Sequence, residues 1–201
     1  MEVKELEIMC IYRSRQGREV DLARIKDGSD TLDYEDLSLP NFLSIMGGIS
    51  ITINGFMTIY RGMNFYTILT PVSFLLDSLY WINGRTTGFL DLDSNYPSSL
   101  IINTMINEKL ILSINENSKL SLSFVAPNKN QDKKRGFYYF EHISICRQKW
   151  TEAVCLALKE YFNISEEILK QNPKGQNIQV LRDFLNLWQD IYTLNPKDSA
   201  S

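Results

Sequence analysis

Residues 64–84, NFYTILTPVSFLLDSLYWING, leave the chain little freedom. An apolar run from Phe65 to Leu69 reads as a strand and meets Thr70-Pro71; Phe74, Leu75, Leu79 and Trp81 then recur at helical spacing and stop at Asn83-Gly84. Proline lacks an N–H and has a fixed φ, so it suits the first position of a helix, where the N–H has no partner, with Thr70 placed to cap. Gly84 supplies the left-handed residue that commonly closes a helix. The pattern predicts a buried strand followed by a helix at about 71–82. Asp77 interrupts the apolar run. Three residues after Phe74 and four before Trp81, it is expected at the solvent-side border of the helix; if buried, it needs a partner, with Arg61 or Arg85 the first candidates.

The surrounding sequence is written mostly in strands. Leu6, Ile8 and Cys10 alternate with Glu5, Glu7 and Met9, so residues 4–12 read as a strand that turns back into a second, more polar one at Val20 and Leu22. A short helix is expected after Pro40, broken by Gly47-Gly48. Ile49, Ile51 and Ile53 alternate with Ser50 and Thr52, and Asn54-Gly55 before a second alternation (56–61) is a hairpin signal, the alternative being one long strand over 49–60 bulged at Gly55. Residues 85–93, 100–106, 109–115 and 119–125 are read as further strands. In the last two, Leu110, Leu112 and Ile114, then Leu120, Leu122 and Phe124, form one apolar face, and the intervening serines predict a wet or partner-facing second face. Residues 137–146, FYYFEHISIC, are apolar on both faces and are expected to be a central strand.

The chain then turns helical. Trp150, Val154, Leu158 and Tyr161 define a helix over 148–163, Ser165-Glu166-Glu167 reads as the capped start of a short one, and Ile178, Leu181, Leu185, Trp188 and Tyr192 mark a third over 177–193. The expected fold class is α+β: a mainly antiparallel twisted sheet with the helix at about 71–82 and two to three C-terminal helices packed on it. Residues 1–172 are read as a single α+β domain, 173–194 as a C-terminal helix packed on it or available for homodimerisation, and 195–201 as a disordered tail.

Bulk properties narrow the class. The 201 residues are 44% hydrophobic and 22% charged, which suits a folded globular protein. The net charge is only −3, so no general affinity for nucleic acid or membranes is expected. Its distribution is uneven: residues 1–100 hold 8 Lys/Arg against 13 Asp/Glu, residues 101–201 hold 13 against 11. Cys10, Cys146 and Cys155 follow no metal or redox spacing and read as free thiols of a reducing compartment. MEVKELEIMC lacks the basic start and apolar core of a signal peptide, and no run approaches the roughly 18 apolar residues of a membrane span, so a cytoplasmic, soluble protein is expected.

Candidate functional residues are few. The stretch DGSDTLDYED carries Asp27, Asp30, Asp33, Glu35 and Asp36, either as a solvated loop or as a surface for a basic partner. Asp91 and Asp93 place two carboxylates on one face of a strand, as in the D-x-D of some metal-dependent transferases, but a strand end is the simpler reading. Neither segment has calcium-loop spacing: Gly28 falls at the wrong offset, and Tyr96 stands where the loop glycine belongs. Lys133-Lys134-Arg135 reads as a hairpin tip. His142 is the only histidine, so any Ser–His or Cys–His scheme would need it. Cys146, on the same strand, lies about 13 Å away by strand rise, too far for a direct hydrogen bond. No glycine-rich phosphate loop, dinucleotide fingerprint, G-x-S-x-G or H-E-x-x-H occurs. No metal or cofactor is expected.

The N-terminal hairpin, the TPVSFLLDSL helix followed by Asn-Gly, the serine-alternating strands 109–125 and the aromatic strand entering the Trp150 helix together resemble, in layout, bacterial immunity proteins of contact-dependent and other polymorphic toxin systems. The resemblance spans most of the chain, rests on no diagnostic motif and transfers no individual residues. It implies a small non-catalytic binding protein with a cognate protein toxin as partner. Asp27, Asp30, Asp33, Glu35, Asp36, Asp91 and Asp93 are the candidate partner-binding residues, because carboxylates speed encounter with a basic nuclease-type toxin. The alternatives are a small enzyme or ligand-binding domain that gathers Asp91, Asp93 and His142 around a pocket, and a structural subunit that dimerises through its last helix.

Overall fold

The computed structural model describes residues 2–13, 19–21, 43, 46–59, 64–65, 67–85, 87, 98–115, 119–126, 139–171, 174 and 178–194. Its elements are β1 (Leu6–Arg13), β2 (Glu19–Asp21), β3 (Gly47–Ile53), β4 (Phe56–Ile59), β5 (Asn64–Phe65), α1 (Leu69–Ile82), β6 (Ser99–Asn103), β7 (Lys109–Ile114), β8 (Leu120–Val125), β9 (Phe140–Ile145), α2 (Arg147–Gln171) and α3 (Ile178–Leu194). The class is α+β, and every strand pairing is antiparallel, divided between two sheets.

The first sheet has the order β2-β1-β3-β4, with β5 also on β3. Its register aligns the alternating residues: Leu6 opposes Ile53, Ile8 opposes Ile51 and Cys10 opposes Ile49, making one apolar face. The hairpin at Asn54-Gly55 forms as expected, with φ of 52° and 74°, the left-handed pair that matches strand twist. Gly47 and Gly48 open β3 opposite Tyr12 and Ile11; of the helix expected after Pro40, Leu43 is helical and residues 41–42 and 44–45 lie outside the described residues. A Cβ on Gly47 would lie 2.7 Å from the Ile11 carbonyl oxygen and 2.9 Å from Ile68 Cβ, so the glycine permits close packing.

The second sheet is a meander, β6-β7-β8-β9. Leu100, Ile102, Leu110, Leu112, Leu120, Leu122, Phe124 and Ile145 give its buried face. Two expectations about it fail. Ser121 and Ser123 are buried rather than wet, and Ser123 Oγ accepts the His142 N–H at 2.9 Å, a bond within the sheet. β9 is terminal in the described sheet rather than central. Between Leu122↔Ile143 and Phe124↔Phe140 the register slips, two residues of β9 facing Ser123 alone. This bulge, with His142 at φ 58°, turns both Glu141 and His142 outward.

The helices share one core with both sheets. α2 lies on β1 and also meets α1 and α3, while α1 touches α3 and β6. α2 runs unbroken through Ser165, whose hydroxyl donates to the Tyr161 carbonyl at 2.8 Å instead of capping a new helix. α3 packs on its own chain: Leu181, Phe184, Trp188 and Ile191 are buried, and Trp188 stacks on Phe162 with ring centroids 5.3 Å apart. Of the stripe that sequence offered for packing or dimerisation, Leu181 and Trp188 are buried and Ile178, Leu185 and Tyr192 half-buried.

α1 begins earlier than the proline implied. It starts at Leu69 after Ile68, with no side-chain cap, and Pro71 is the third residue of the first turn, where its missing N–H still leaves no carbonyl without a donor. The C-terminus follows the glycine signal closely. Gly84 (φ 71°) donates its N–H to the Trp81 carbonyl at 3.1 Å and Arg85 to the Tyr80 carbonyl at 2.9 Å, the paired bonds of a Schellman end.

Candidate functional site

α1 is apolar around nearly its whole circumference. Val72, Phe74, Leu75, Leu76, Leu79, Tyr80 and Trp81 are all buried, because α2, α3 and β6 surround it. Asp77 therefore has no solvent-side border to occupy. It is 4% exposed. The Thr87 hydroxyl, not Arg85, is its hydrogen-bond partner: it donates to Oδ1, and Oδ2 is buried without a hydrogen bond. Arg85 is exposed, and Arg61 lies outside the described residues. Burial raises the Asp77 carboxyl from its ordinary 3.8 to about 6, against the lowering effect of the Thr87 hydrogen bond.

Asp77 lines a recess of about 560 Å³ between the N-terminal half of α1, the strand β6 and Phe184 of α3. Thr70, Ser73, Phe74 and Asp77 stand at i, i+3, i+4 and i+7, one face of α1, and Leu69, Ile101, Ile102 and Asn103 complete the described lining. Phe74, Asp77, Ile102 and Phe184 are the buried floor, whereas Thr70, Ile101 and Asn103 are exposed at the rim. The volume lies within the range of small-molecule sites, and the pattern of an apolar wall with a few polar groups is theirs too.

A second buried carboxylate supplies the contrast. Glu108, at the turn between β6 and β7, is 0% exposed, and both its oxygens are bonded: Oε2 by the Thr104 hydroxyl at 3.2 Å and Oε1 by the Tyr139 hydroxyl at 2.8 Å. Glu108 N–H donates back to Thr104 Oγ1 at 3.1 Å, and Thr104 N–H to the Glu108 carbonyl at 2.9 Å. This carboxylate closes a turn and is fully accounted for by it. Asp77 is not, and an incompletely satisfied acid beside an open recess is a functional candidate on physical grounds.

His142 does not join it. Its side chain is 82% exposed, with Glu141 Oε2 4.0 Å from Nε2 and itself 67% exposed. The residues named from sequence as partner-binding, Asp27, Asp30, Asp33, Glu35, Asp36, Asp91 and Asp93, lie outside the described residues, as do Lys133-Lys134-Arg135. Among the described residues no group of three or more His, Cys, Asp or Glu is placed to hold a metal ion, and no helix is long and apolar enough to cross a membrane. Cys10 and Cys155 are buried thiols and Cys146 an exposed one.

Asp77 stands out in the sequence, but its expected place at the solvent-side border differs from its buried one. A readable signal was present: residues 74–81 are apolar on every side of a helical wheel except at Asp77 and Ser78, so no face was left for water. Phe184 and Asn103 could not have been found that way, since nothing local in sequence ties them to residue 77. Protein-family models, curated proteins and solved structures were compared with the chain, and none of them matches it.

Proposed function

We propose that the protein is a non-catalytic binding protein of the immunity type, which neutralises a cognate secreted bacterial toxin in the cytoplasm by binding it. The reading rests first on the layout resemblance. Four features carry it: the β1–β2 hairpin, the α1 helix ending at Asn83-Gly84, the serine-bearing strands β7 and β8, and β9 leading into the Trp150 helix. Of these, β1, α1, β7, β8, β9 and the Trp150 helix contribute to a single core in the folded chain. The observation that carries the non-catalytic half is the position of His142. The residue on which the chain's histidine chemistry would depend stands on an outward bulge at 82% exposure, and the Asp77 recess is lined without it. Catalytic acid–base work needs its groups within hydrogen-bond reach of one reacting centre.

In this reading Asp27, Asp30, Asp33, Glu35, Asp36, Asp91 and Asp93 present negative charge to a basic toxin surface, raising the association rate and competing for its phosphate sites. Co-expression with the polypeptide encoded next to it tests the idea. The expected result is a stable complex and relief of that polypeptide's toxicity, kept by His142→Ala and lost when the seven acidic residues are changed to their amides. Absence of both association and rescue would remove the reading, and full rescue by the seven-amide variant would remove the acidic interface.

A further inference from the structure

We propose that the recess between α1, β6 and α3 is a binding site for a small organic ammonium compound, its charged end directed to Asp77 and its apolar body against Phe74, Ile102 and Phe184. The inference is independent of toxin binding. It stands on three observations that coincide. The recess, about 560 Å³, is of ligand size. Among its described lining residues, the floor combines two phenyl rings and an isoleucine, all buried, with one carboxylate. That carboxylate is 4% exposed and has a hydrogen bond to one oxygen only.

The chemistry selects a cation with N–H donors. A buried carboxylate oxygen without a donor is costly when ionised, and an ammonium supplies both the opposite charge and the missing hydrogen bond. The aromatic faces of Phe74 and Phe184 favour a cation nearby and cover an apolar body as well. An anionic ligand would meet the carboxylate in a poorly solvated place, and a neutral hydrocarbon would leave Oδ2 as it is. The Thr70 and Ser73 hydroxyls and the Asn103 amide, at the mouth of the recess, offer oxygens to the remaining N–H groups or to polar substituents.

Ionisation of Asp77 is then coupled to binding. The described groups around it are the Thr87 hydroxyl, Ser73 and Phe74 on its own helix, Ile102 and Asn103 on β6, and Phe184 on α3; none of these carries a charge. Among the described lining residues Asp77 is the titrating group, and the ammonium remains protonated throughout the range concerned.

Phenethylamine is the probe, with 2-phenylethanol as its neutral counterpart and acetyl-lysine methylamide standing for a lysine of a protein partner. Each is titrated into the full chain and followed by amide ¹H–¹⁵N shifts. The expected result is saturable shifts at Ser73, Asp77, Ile102 and Phe184 with phenethylamine. Affinity should be roughly tenfold higher at pH 7.5 than at pH 5, the ratio of ionised carboxyl for a group titrating near 6. 2-Phenylethanol should bind at least tenfold more weakly at pH 7.5 and show no such rise. Asp77→Asn should lose the pH dependence and at least tenfold in affinity, and Ser73→Phe, which fills the mouth and leaves Asp77 in place, should block the site. No saturable shift at these residues overturns the proposal, as does equal binding of the alcohol or unchanged binding by a folded Asp77→Asn protein. Tighter binding of acetyl-lysine methylamide than of phenethylamine overturns the assignment to a free small molecule.

Discussion

The Trp150 indole donates its Nε1–H to Ser78 Oγ at 2.9 Å, and Ser78 Oγ donates in turn to the Leu75 carbonyl at 2.6 Å. Both side chains are 0% exposed. The relay ties α2 to α1 in the middle of the core, one residue along α1 from Asp77.

Ser78→Ala removes the acceptor and leaves the indole N–H buried without a partner. A loss of about 1–3 kcal/mol in unfolding free energy is expected, larger than that of one exposed hydrogen bond. Trp150→Phe in the Ser78→Ala background should cost less than the sum of the two single changes, because the orphaned donor is then absent as well. Denaturant unfolding of the four proteins measures the coupling; strict additivity would mean that the relay contributes nothing as a unit.

Asp77 makes stability depend on pH with a definite sign. Its carboxyl titrates near 3.8 when unfolded and at about 6 when folded. Between those values the folded chain keeps a proton that the unfolded chain has released. Stability therefore falls as pH rises from about 4 to about 6, and the whole penalty, on the order of 3 kcal/mol, persists above that window. Asp77→Asn should flatten this part of the profile and stabilise the ligand-free protein at pH 7.5 by about 1–3 kcal/mol. Unfolding midpoints taken at half-unit pH steps for both proteins would show the difference curve, and a variant less stable than wild type at pH 7.5 contradicts it.

Gly47→Ala should cost about 1–3 kcal/mol, since the added methyl meets the Ile11 carbonyl and Ile68, both held by the sheet and by the entry to α1. Thermal or denaturant unfolding gives the value. An unchanged midpoint would mean that this backbone approach relaxes freely.

Asn54 does more than make a turn. Its Oδ1 accepts the N–H groups of Lys4 and Glu5 at 2.7 and 3.0 Å, and its Nδ2 donates to the Glu2 carbonyl at 2.9 Å. Asn54→Gly keeps the left-handed turn and loses these bonds, so amide exchange at Lys4 and Glu5 should quicken selectively, with a stability loss of about 1–2 kcal/mol. Asn54→Ala should lose about 1 kcal/mol more through its positive φ. Equal protection of Lys4 in wild type and Asn54→Gly would show that the N-terminal segment is held by other contacts.

Much of the fold was legible because its signals are local. Period-2 alternation in Leu6–Cys10 and Ile49–Ile53, the Asn54-Gly55 turn and the Gly84 helix end all act over a few residues, and each found its expected place. The misreadings share one cause. The burial of Ser121 and Ser123, the terminal position of β9 and the continuity of α2 through Ser165 depend on what packs or pairs from elsewhere in the chain, which a local pattern does not encode.

The helix at 69–82 divides the two kinds of information cleanly. Sequence alone determined that residues 71–82 would be helical, would end at Gly84 and would be buried, because proline, glycine and hydrophobic spacing act through the backbone and through water, and both are everywhere the same. Only the tertiary structure decided what surrounds that helix. With α2, α3 and β6 brought around it, Asp77 lost its access to solvent, gained Thr87 as its hydrogen-bond donor and came to line a recess with Phe184, more than a hundred residues away. A carboxylate's chemistry depends on its dielectric surroundings and partners, and those are supplied by the fold.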